Sequence, residues 1–185
     1  DTVYKKLKEQ YKEFRLIVPY TTRPIREGEK DGVEYYFVDP EQFRAMKEDG
    51  KVIESRSYNT KCGIWTYFTA DDGQIDLSAA DYLLIGTLVS YQALREYFGE
   101  EAIVPVYLEV EDGLRLARAL ERERRQEKPK YAEMCRRFLA DEADFSPEKL
   151  QEAGITKTFV NNDLEHTEQE IISYVKSCMT ESTMR

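Results

Sequence analysis

The chain of 185 residues is long enough to bury the core of one domain. Its formal net charge of −9 argues against general nucleic-acid binding, which needs a basic face. No apolar run approaches the roughly 18 residues of a membrane span, and no signal-peptide pattern is found, so we expect a cytoplasmic protein outside the membrane. Cys62, Cys135 and Cys178 are odd in number and lack metal-ligand spacing, which is typical of reduced cytosolic thiols.

The first predicted elements are a helix and a short strand. Val3, Leu7, Tyr11 and Phe14 recur at helical spacing and form one apolar stripe. The apolar run at 14–18 then predicts a strand that enters the interior of the fold.

A long polar connection follows, over residues 18–38. Pro24 and two glycine-containing turn signals within it argue against a helix. The connection carries Arg23 and Arg26. Guanidinium forks on such a loop can hold a phosphate through paired, charge-assisted hydrogen bonds. The alternative is a pair of solvated surface arginines.

The same connection resembles one known family. Its matching segments, in chain order, are Tyr20-Thr21-Thr22-Arg23-Pro24, Arg26, Gly28-Glu29, Asp31-Gly32 and Tyr35-Tyr36-Phe37-Val38. This long, ordered pattern is similar to the nucleotide-monophosphate-binding region of guanylate kinases. The resemblance implies that Arg23, Arg26 and Tyr35 hold the phosphate of GMP.

The next stretch predicts a helix and then a strand that carries one acidic residue. Asp39-Pro40-Glu41 begins the helix and Gly50 ends it. In the strand Val52–Ser55, Glu54 stands among apolar neighbours. The residues alone leave open a second interpretation, in which Glu54 is simply an acidic residue at the edge of a strand. The resemblance implies that Glu54 accepts hydrogen bonds from guanine, whose N1 and 2-amino groups are adjacent donors.

Residues 58–69 predict a β-hairpin rich in aromatic strand formers. Here the resemblance is weaker, because the family has a tyrosine before the hairpin glycine and a small hydroxyl residue after it. This chain has Cys62 and Ile64 at those positions. Tyr58 and Thr66 are the alternatives for the missing contacts.

The middle of the chain alternates strands with helices. Its predicted elements are a short helix from Ala70, a strand at 82–85, a helix at 88–98 and a strand at 103–108. Such alternation predicts a mostly parallel sheet with helices on both faces and ligands at the carboxyl ends of the strands. The family carries aspartates after the 82–85 strand, whereas this chain has the uncharged Ile85 and Thr87.

From Asp112 onward the sequence predicts two charged helices separated by a proline break. Charge runs of this kind are usually solvated helix faces with pairs across one turn. The region also resembles the lid of nucleoside monophosphate kinases, whose arginines neutralise charge on the transferring phosphoryl group. The resemblance implies that Arg118, Arg122 and Arg137 are the catalytic arginines, with Arg125 as a substitute.

The last predicted elements are a strand and a helix. Residues 158–164 resemble the final strand and asparagine turn of the family, which implies that Asn161 lies near the adenine of ATP. The alternative is an ordinary turn asparagine. Residues 164–175 predict an amphipathic helix, followed by a frayed tail at 180–185.

Together these elements predict an α/β, three-layer, P-loop kinase-like fold in a single domain, residues 1–185. Its predicted parts are a core (1–18 and 80–175), a monophosphate-binding subdomain (19–79), a helical lid (113–145) and the tail (180–185). The chain contains no glycine-rich loop ending in Gly-Lys-Ser/Thr, which such a kinase needs. We expect the chain to begin just after the lysine of that loop.

The resemblance implies a guanylate kinase that uses ATP and Mg²⁺ to phosphorylate GMP. The four departures from the family pattern leave open a related kinase with another small phosphorylated acceptor. A third reading is a non-catalytic guanylate-kinase-like module that binds phosphorylated peptides. The sequence predicts no metal-ligating residues and indicates no oligomeric state.

Overall fold

The computed structural model describes residues 2–60 and 63–183. The chain forms two units, Asp1–Ile103 and Val104–Arg185, and each is described by itself. Both units contain helices and a parallel strand pair, so the predicted α/β class is confirmed. The predicted division into core, binding subdomain and lid stays a prediction.

The first unit contains three helices, a 3₁₀ turn at Glu100–Ala102 and six strands among the residues described. The helices are α1 (Thr2–Gln10), α2 (Pro40–Glu48) and α3 (Leu88–Phe98). The strands are β1 (Arg15–Leu16), β2 (Tyr20–Thr21), β3 (Tyr36–Phe37), β4 (Val52–Thr60), β5 (Gly63–Ala70) and β6 (Tyr82–Leu83). β1 and β6 pair in parallel.

A four-stranded sheet with the order β3-β2-β5-β4 dominates this unit. β2 and β3 are parallel, and the other pairs are antiparallel. The predicted hairpin is confirmed and is longer than expected, since β4 starts at Val52. Its register places Glu54 opposite Thr69 and Arg56 opposite Tyr67. Because successive strand residues point to opposite faces, Phe68 lies on the other side of the sheet from Tyr67.

One face of this sheet is apolar and packs against α2. Phe68 is fully buried, and its ring lies 5.0 Å from Tyr20 and 4.8 Å from Phe43, measured between centroids. Phe43 and Met46 pack inward from α2, as predicted. Burying one such side chain contributes roughly 2–3 kcal/mol.

Helix α2 begins with a complete capping box. Asp39 Oδ1 accepts hydrogen bonds from the backbone N–H groups of Glu41 and Gln42, each at 2.8 Å. The Gln42 side chain in turn accepts one from the Asp39 N–H at 2.8 Å. These reciprocal bonds satisfy donors that have no partner within the first turn of a helix.

The short helix predicted from Ala70 is wrong. Residues 71–81 form turns instead. Asp76 Oδ1 accepts hydrogen bonds from the N–H of Ser78 at 3.0 Å and from its hydroxyl at 2.6 Å. Short polar side chains that bind nearby backbone groups in this way compete with helix formation.

The second unit contains two parallel strands and four helices among the residues described. The strands are β7 (Tyr107–Glu109) and β8 (Thr158–Val160). The helices are α4 (Asp112–Arg124), α5 (Tyr131–Asp144), α6 (Pro147–Glu152) and α7 (Leu164–Thr183). The proline break between α4 and α5 is confirmed, α6 was not predicted, and α7 continues into the predicted tail.

Helices α4 and α5 pack against each other through one arginine. Arg115 of α4 lies over the Phe138 ring of α5, with its guanidinium carbon 4.2 Å from the ring centroid. Arg115 also forms an ion pair with Glu142.

Within the described ranges, helices long and apolar enough for a bilayer crossing are absent.

Candidate functional site

The connection over residues 18–38, here called the clamp loop, follows a course fixed by its own side chains. Positive φ angles at Gly28 (85°) and Gly32 (76°) form the two predicted turns, a conformation in which glycine avoids a steric cost. Three carboxylates in the loop each accept a backbone N–H at 2.8 Å: Glu29 from Arg26, Asp31 from Phe37 and Glu34 from Lys30. The loop therefore has a defined shape with little regular secondary structure.

Arg23 is the buried arginine of the clamp loop, with a side chain only 3% exposed. Its Nη1 and Nη2 donate to the two oxygens of Glu29 at 2.7 and 2.6 Å. The guanidinium carbon lies 5.0 Å from the Tyr35 ring centroid and 5.3 Å from that of Phe37. The hydrogen bond from Arg23 is the main cause that lowers the pKa of Glu29 to about 2. The positive charge of Arg23 is thus compensated inside the loop.

Arg26 has the opposite environment. Its side chain is exposed, and over the described residues no hydrogen bond or ion pair is recorded for its guanidinium. Its backbone N–H donates to the Glu29 carboxylate at 2.8 Å, and its carbonyl accepts from the Glu29 N–H at 3.1 Å. Burial raises the pKa of Tyr35, which belongs to the same loop, and keeps that phenol protonated. A guanidinium and a neutral phenol are both hydrogen-bond donors that suit a phosphate.

A second polar cluster lies on β4. The Glu54 carboxylate is buried, with 3% of the side chain exposed, and accepts hydrogen bonds at both oxygens. Arg56 Nε donates to Glu54 Oε2 at 3.1 Å, and Arg56 Nη2 donates to Oε1 at 3.4 Å. The Thr69 hydroxyl also donates to Oε1, at 2.9 Å. Sequence reasoning identified Glu54 and missed Arg56, although alternation along a strand places residues two apart on one face.

The positions that depart from the family pattern take different roles here. Arg56 Nη1 donates to the Thr87 hydroxyl at 3.1 Å, and this hydroxyl also caps α3. Ile64 and Ile85 are exposed. Cys62 lies outside the described residues. Thr87 is therefore part of the Arg56 network and is not free to bind a ligand by itself.

Of the two suggested substitutes in the hairpin, only Tyr58 lies where a ligand can reach it. Thr66 is buried, and its hydroxyl shares a 2.9 Å hydrogen bond with Ser57. Tyr58 is exposed, and its ring centroid lies 5.9 Å from that of Tyr67.

Aromatic side chains line the polar face of the sheet between the two clusters. Tyr67 contacts Tyr35 at 5.6 Å between ring centroids, and its strand partner in the hairpin is Arg56. Trp65 is in register with Tyr58. We call Tyr35, Tyr58, Trp65 and Tyr67 the aromatic shelf. It offers flat rings beside two arginines, an arrangement that suits a planar ligand carrying a phosphate.

In the second unit, two of the predicted site residues meet. Arg118 Nη1 donates to the backbone oxygen of Asn161 at 3.3 Å. The Asn161 Oδ1 atom is buried and has no hydrogen-bond partner among the residues described. Unpaired buried acceptors of this kind are rare.

The other arginines of the predicted lid differ in whether their guanidinium groups already bind a glutamate. Arg137 Nε donates to Glu133 at 2.9 Å, and Arg136 also binds that carboxylate. These two arginines lower the pKa of Glu133 to about 2. Arg125 pairs with Glu121, whereas Arg122 is exposed and no side-chain contact is recorded for it among the described residues.

The described residues show no resident metal site. Across 2–60 and 63–183, no group of three or more His, Cys, Asp or Glu residues could hold a metal ion.

Comparison with known proteins finds similarity to guanylate kinases. The guanylate kinase family model matches residues 1–64. A guanylate kinase of Legionella pneumophila is 49% identical over 53 residues, which cover 29% of this chain and 25% of that protein. A guanylate kinase of Frankia casuarinae is 48% identical over 54 residues, covering 29% of each chain.

Two further similarities extend the comparison. A membrane-associated guanylate kinase, WW and PDZ domain-containing protein 3 of Rattus norvegicus is 44% identical over 46 residues, 25% of this chain and 3% of that protein. The crystal structure of guanylate kinase from Anaplasma phagocytophilum superimposes with a TM-score of 0.63 at 23% identity, over 95% of this chain and 80% of that one. The matched segment spans about a quarter of the length of the bacterial relatives. The family resemblance predicted from the sequence is confirmed.

Proposed function

We propose that this chain, a guanylate kinase family protein by its first 64 residues and by its fold, is a nucleoside monophosphate kinase that accepts GMP. One observation carries the proposal. The buried Arg23–Glu29 pair fixes a loop that leaves the Arg26 guanidinium exposed, and the same loop contributes Tyr35 to the aromatic shelf. That arrangement provides a phosphate-binding cation and a surface for a base.

The acceptor phosphate would be held by Arg26 and by the neutral Tyr35 hydroxyl, with Arg23 as a positioning residue. Arg23 acts through the loop, because its own charge is already matched by Glu29. The positive charge of Arg26 is available to a ligand, whereas that of Arg23 is neutralised by Glu29. This favours a dianionic ligand, since each added negative charge gains a charge-assisted hydrogen bond.

In the reaction, an oxygen of the acceptor phosphate would form a bond to the γ-phosphorus of ATP. The bond from that phosphorus to the bridging β–γ oxygen would break, which gives ADP and the nucleoside diphosphate. Such a transfer needs positioning and charge neutralisation more than a general base. Arg118, Arg122 and Arg137 are the proposed neutralising groups, and Asn161 the proposed contact to adenine.

The second candidate function is a non-catalytic module that binds phosphorylated peptides. Two observations favour it. A 46-residue segment of the chain is similar to the rat protein that contains WW and PDZ domains, and Ile85 and Thr87 stand where the enzyme family carries aspartates. In this case Arg26 would bind the phosphate of a phosphorylated side chain.

The deciding experiment follows GDP formation by the full-length gene product supplied with ATP, Mg²⁺ and GMP. We expect GDP to accumulate, and Arg122→Ala to lower turnover at saturation by roughly 100-fold. Arg124→Ala, on the same helix, is the matched control and should retain turnover. Phosphopeptide binding without ATP binding would establish the second candidate. Failure to bind GMP, ATP and phosphopeptides would reject both functions.

A further inference from the structure

The Glu54 carboxylate is already occupied by groups of the protein. Arg56 and Thr69 together donate three hydrogen bonds to its two oxygens. A ligand that offers a pair of adjacent N–H donors would have to displace the Arg56 guanidinium, at the cost of leaving that cation unpaired. The carboxylate therefore serves first to hold Arg56.

Arg56, in contrast, keeps donors available for a ligand. A guanidinium has five N–H groups. The recorded hydrogen bonds of Arg56 use Nε, one N–H of Nη1 and one of Nη2. One N–H remains on each terminal nitrogen, and the side chain is 21% exposed. A guanidinium can present one N–H from each terminal nitrogen side by side, as a fork that matches two adjacent hydrogen-bond acceptors.

The surroundings of this fork suit a planar ring. Arg56 is opposite Tyr67 in the hairpin, and the next register pair on the same face of the sheet is Tyr58 with Trp65. Among purine bases, guanine and hypoxanthine present two adjacent acceptors, O6 and N7, which an arginine fork binds in bidentate fashion. Adenine replaces O6 with an amino donor, which would face the Arg56 donors.

We infer that Arg56 is the specificity-determining residue of the acceptor site and binds a 6-oxopurine through O6 and N7. The 2-amino group, which distinguishes guanine from hypoxanthine, is then not recognised. The inference rests on the proposed function, because it concerns the base of the same monophosphate. Adjacent acceptors also occur on carboxylates and second phosphates, so the test includes a ligand of that kind.

The test measures binding of four monophosphates to the 185-residue chain by titration calorimetry. We expect GMP and inosine monophosphate to bind within about threefold of each other, and AMP and 7-deaza-GMP to bind roughly 10- to 100-fold more weakly, because each loses one acceptor. The inference would be overturned if inosine monophosphate bound much more weakly than GMP while 7-deaza-GMP bound as tightly as GMP.

Two further outcomes are distinguishable. Tight binding of a sugar bisphosphate with weak binding of all purine nucleotides would also overturn the inference, because the fork would then recognise an anionic group. If none of these compounds binds, the proposed function itself fails, whatever the role of Arg56.

A pair of variants then assigns the effect to Arg56. Arg56→Leu removes the fork and frees Glu54, so GMP should become preferred over inosine monophosphate and the penalty for 7-deaza-GMP should disappear. Arg44→Leu, at an exposed position on α2, is the matched control and should keep the original order. If Arg56→Leu does not fold, Arg56→Lys keeps the charge without the fork and should reduce the 7-deaza-GMP penalty. An unchanged ligand order in the folded variant would contradict the assignment.

Discussion

The two faces of the four-stranded sheet are built from alternate residues of the same strands and differ in nearly every property. On one face, Phe68 is fully buried under α2 and contacts only apolar and aromatic neighbours in the core cluster. On the other, Tyr67 lies beside Arg56 and Tyr35. We therefore expect stability to depend mainly on the apolar face and ligand binding on the polar face, so that neighbouring residues in β5 serve different purposes.

The polar face also shows that a cluster of arginines is not a set of equivalent cations. Arg23 and Arg56 are each matched by one carboxylate, Glu29 and Glu54. Buried charges require such partners, because removing an ion from water is costly. Arg26, which lacks a recorded side-chain partner among the described residues, is the one we expect a phosphate to meet.

The largest expected effect is a difference in stability between the alanine variants at Phe68 and Tyr67. Phe68→Ala should lower the free energy of unfolding by about 3–5 kcal/mol, because it opens a cavity in the apolar face. Tyr67→Ala should cost less stability and weaken GMP binding. Urea denaturation measures the first effect and calorimetry the second. Equal losses of stability in the two variants would contradict the division between the faces.

The next comparison is between two arginines of the clamp loop. Arg23→Ala should lower the free energy of unfolding by about 2–3 kcal/mol, because it leaves the Glu29 carboxylate without its partner. Arg26→Ala should change stability by no more than about 0.5 kcal/mol, since its side chain is exposed. Arg26→Ala should nevertheless weaken GMP binding by about tenfold or more, through loss of a charge-assisted contact. If Arg26→Ala lowered stability and left GMP affinity unchanged, the assignment of stability to Arg23 and of phosphate binding to Arg26 would be reversed.

Acid should weaken the Arg23–Glu29 pair in a defined pH range. The pKa of Glu29 is lowered from 4.5 to about 2, so the folded state favours its ionised form. Its stabilising contribution is complete above pH 4.5 and is lost as the pH falls towards about 2. Glu29→Gln should therefore be less stable than the wild type near neutral pH, and the difference should shrink in acid. Denaturation curves over this range measure the effect.

The control for the acid experiment is Glu27→Gln, two residues away in the same loop. It should match the wild type at every pH, because no side-chain contact is recorded for Glu27 among the described residues. A Glu27 variant with the same pH dependence as Glu29→Gln would show that loop charge in general, and not the pair, is responsible.

The smallest expected effect concerns the helix that covers the apolar face. Asp39→Ala removes the capping box of α2 and should cost about 1 kcal/mol, read as a lower Tm. GMP affinity should be unchanged, because the acceptor site is on the opposite face of the sheet. A matching loss of GMP affinity would mean that the two faces are coupled through α2.

The parts of the fold that sequence predicted well carry strong local signals. The first turn of α2 has an aspartate cap and a proline, and α3 ends at Gly99 as expected. The clamp-loop turns follow from glycines that need positive φ. The turns at 71–81 were mistaken for a helix because their aspartates resemble helix-start residues, and only the observed side-chain contacts separate the two.

The candidate site was predicted less completely, for a physical reason. Motif resemblance identified Arg23, Arg26, Tyr35 and Glu54, but it does not say which charges are already paired. Pairing depends on hairpin register and on residues distant in sequence, as in the Arg56–Thr87 contact. The roles of these residues in binding stay predictions until they are measured.

The most direct test compares GMP with guanosine in calorimetric titrations of the wild-type chain and of Arg26→Ala. If the clamp loop binds the phosphate, GMP should bind the wild type at least about tenfold more tightly than guanosine, and Arg26→Ala should remove most of that difference. Equal affinity of the wild type for GMP and guanosine, or an undiminished difference in Arg26→Ala, would contradict the account.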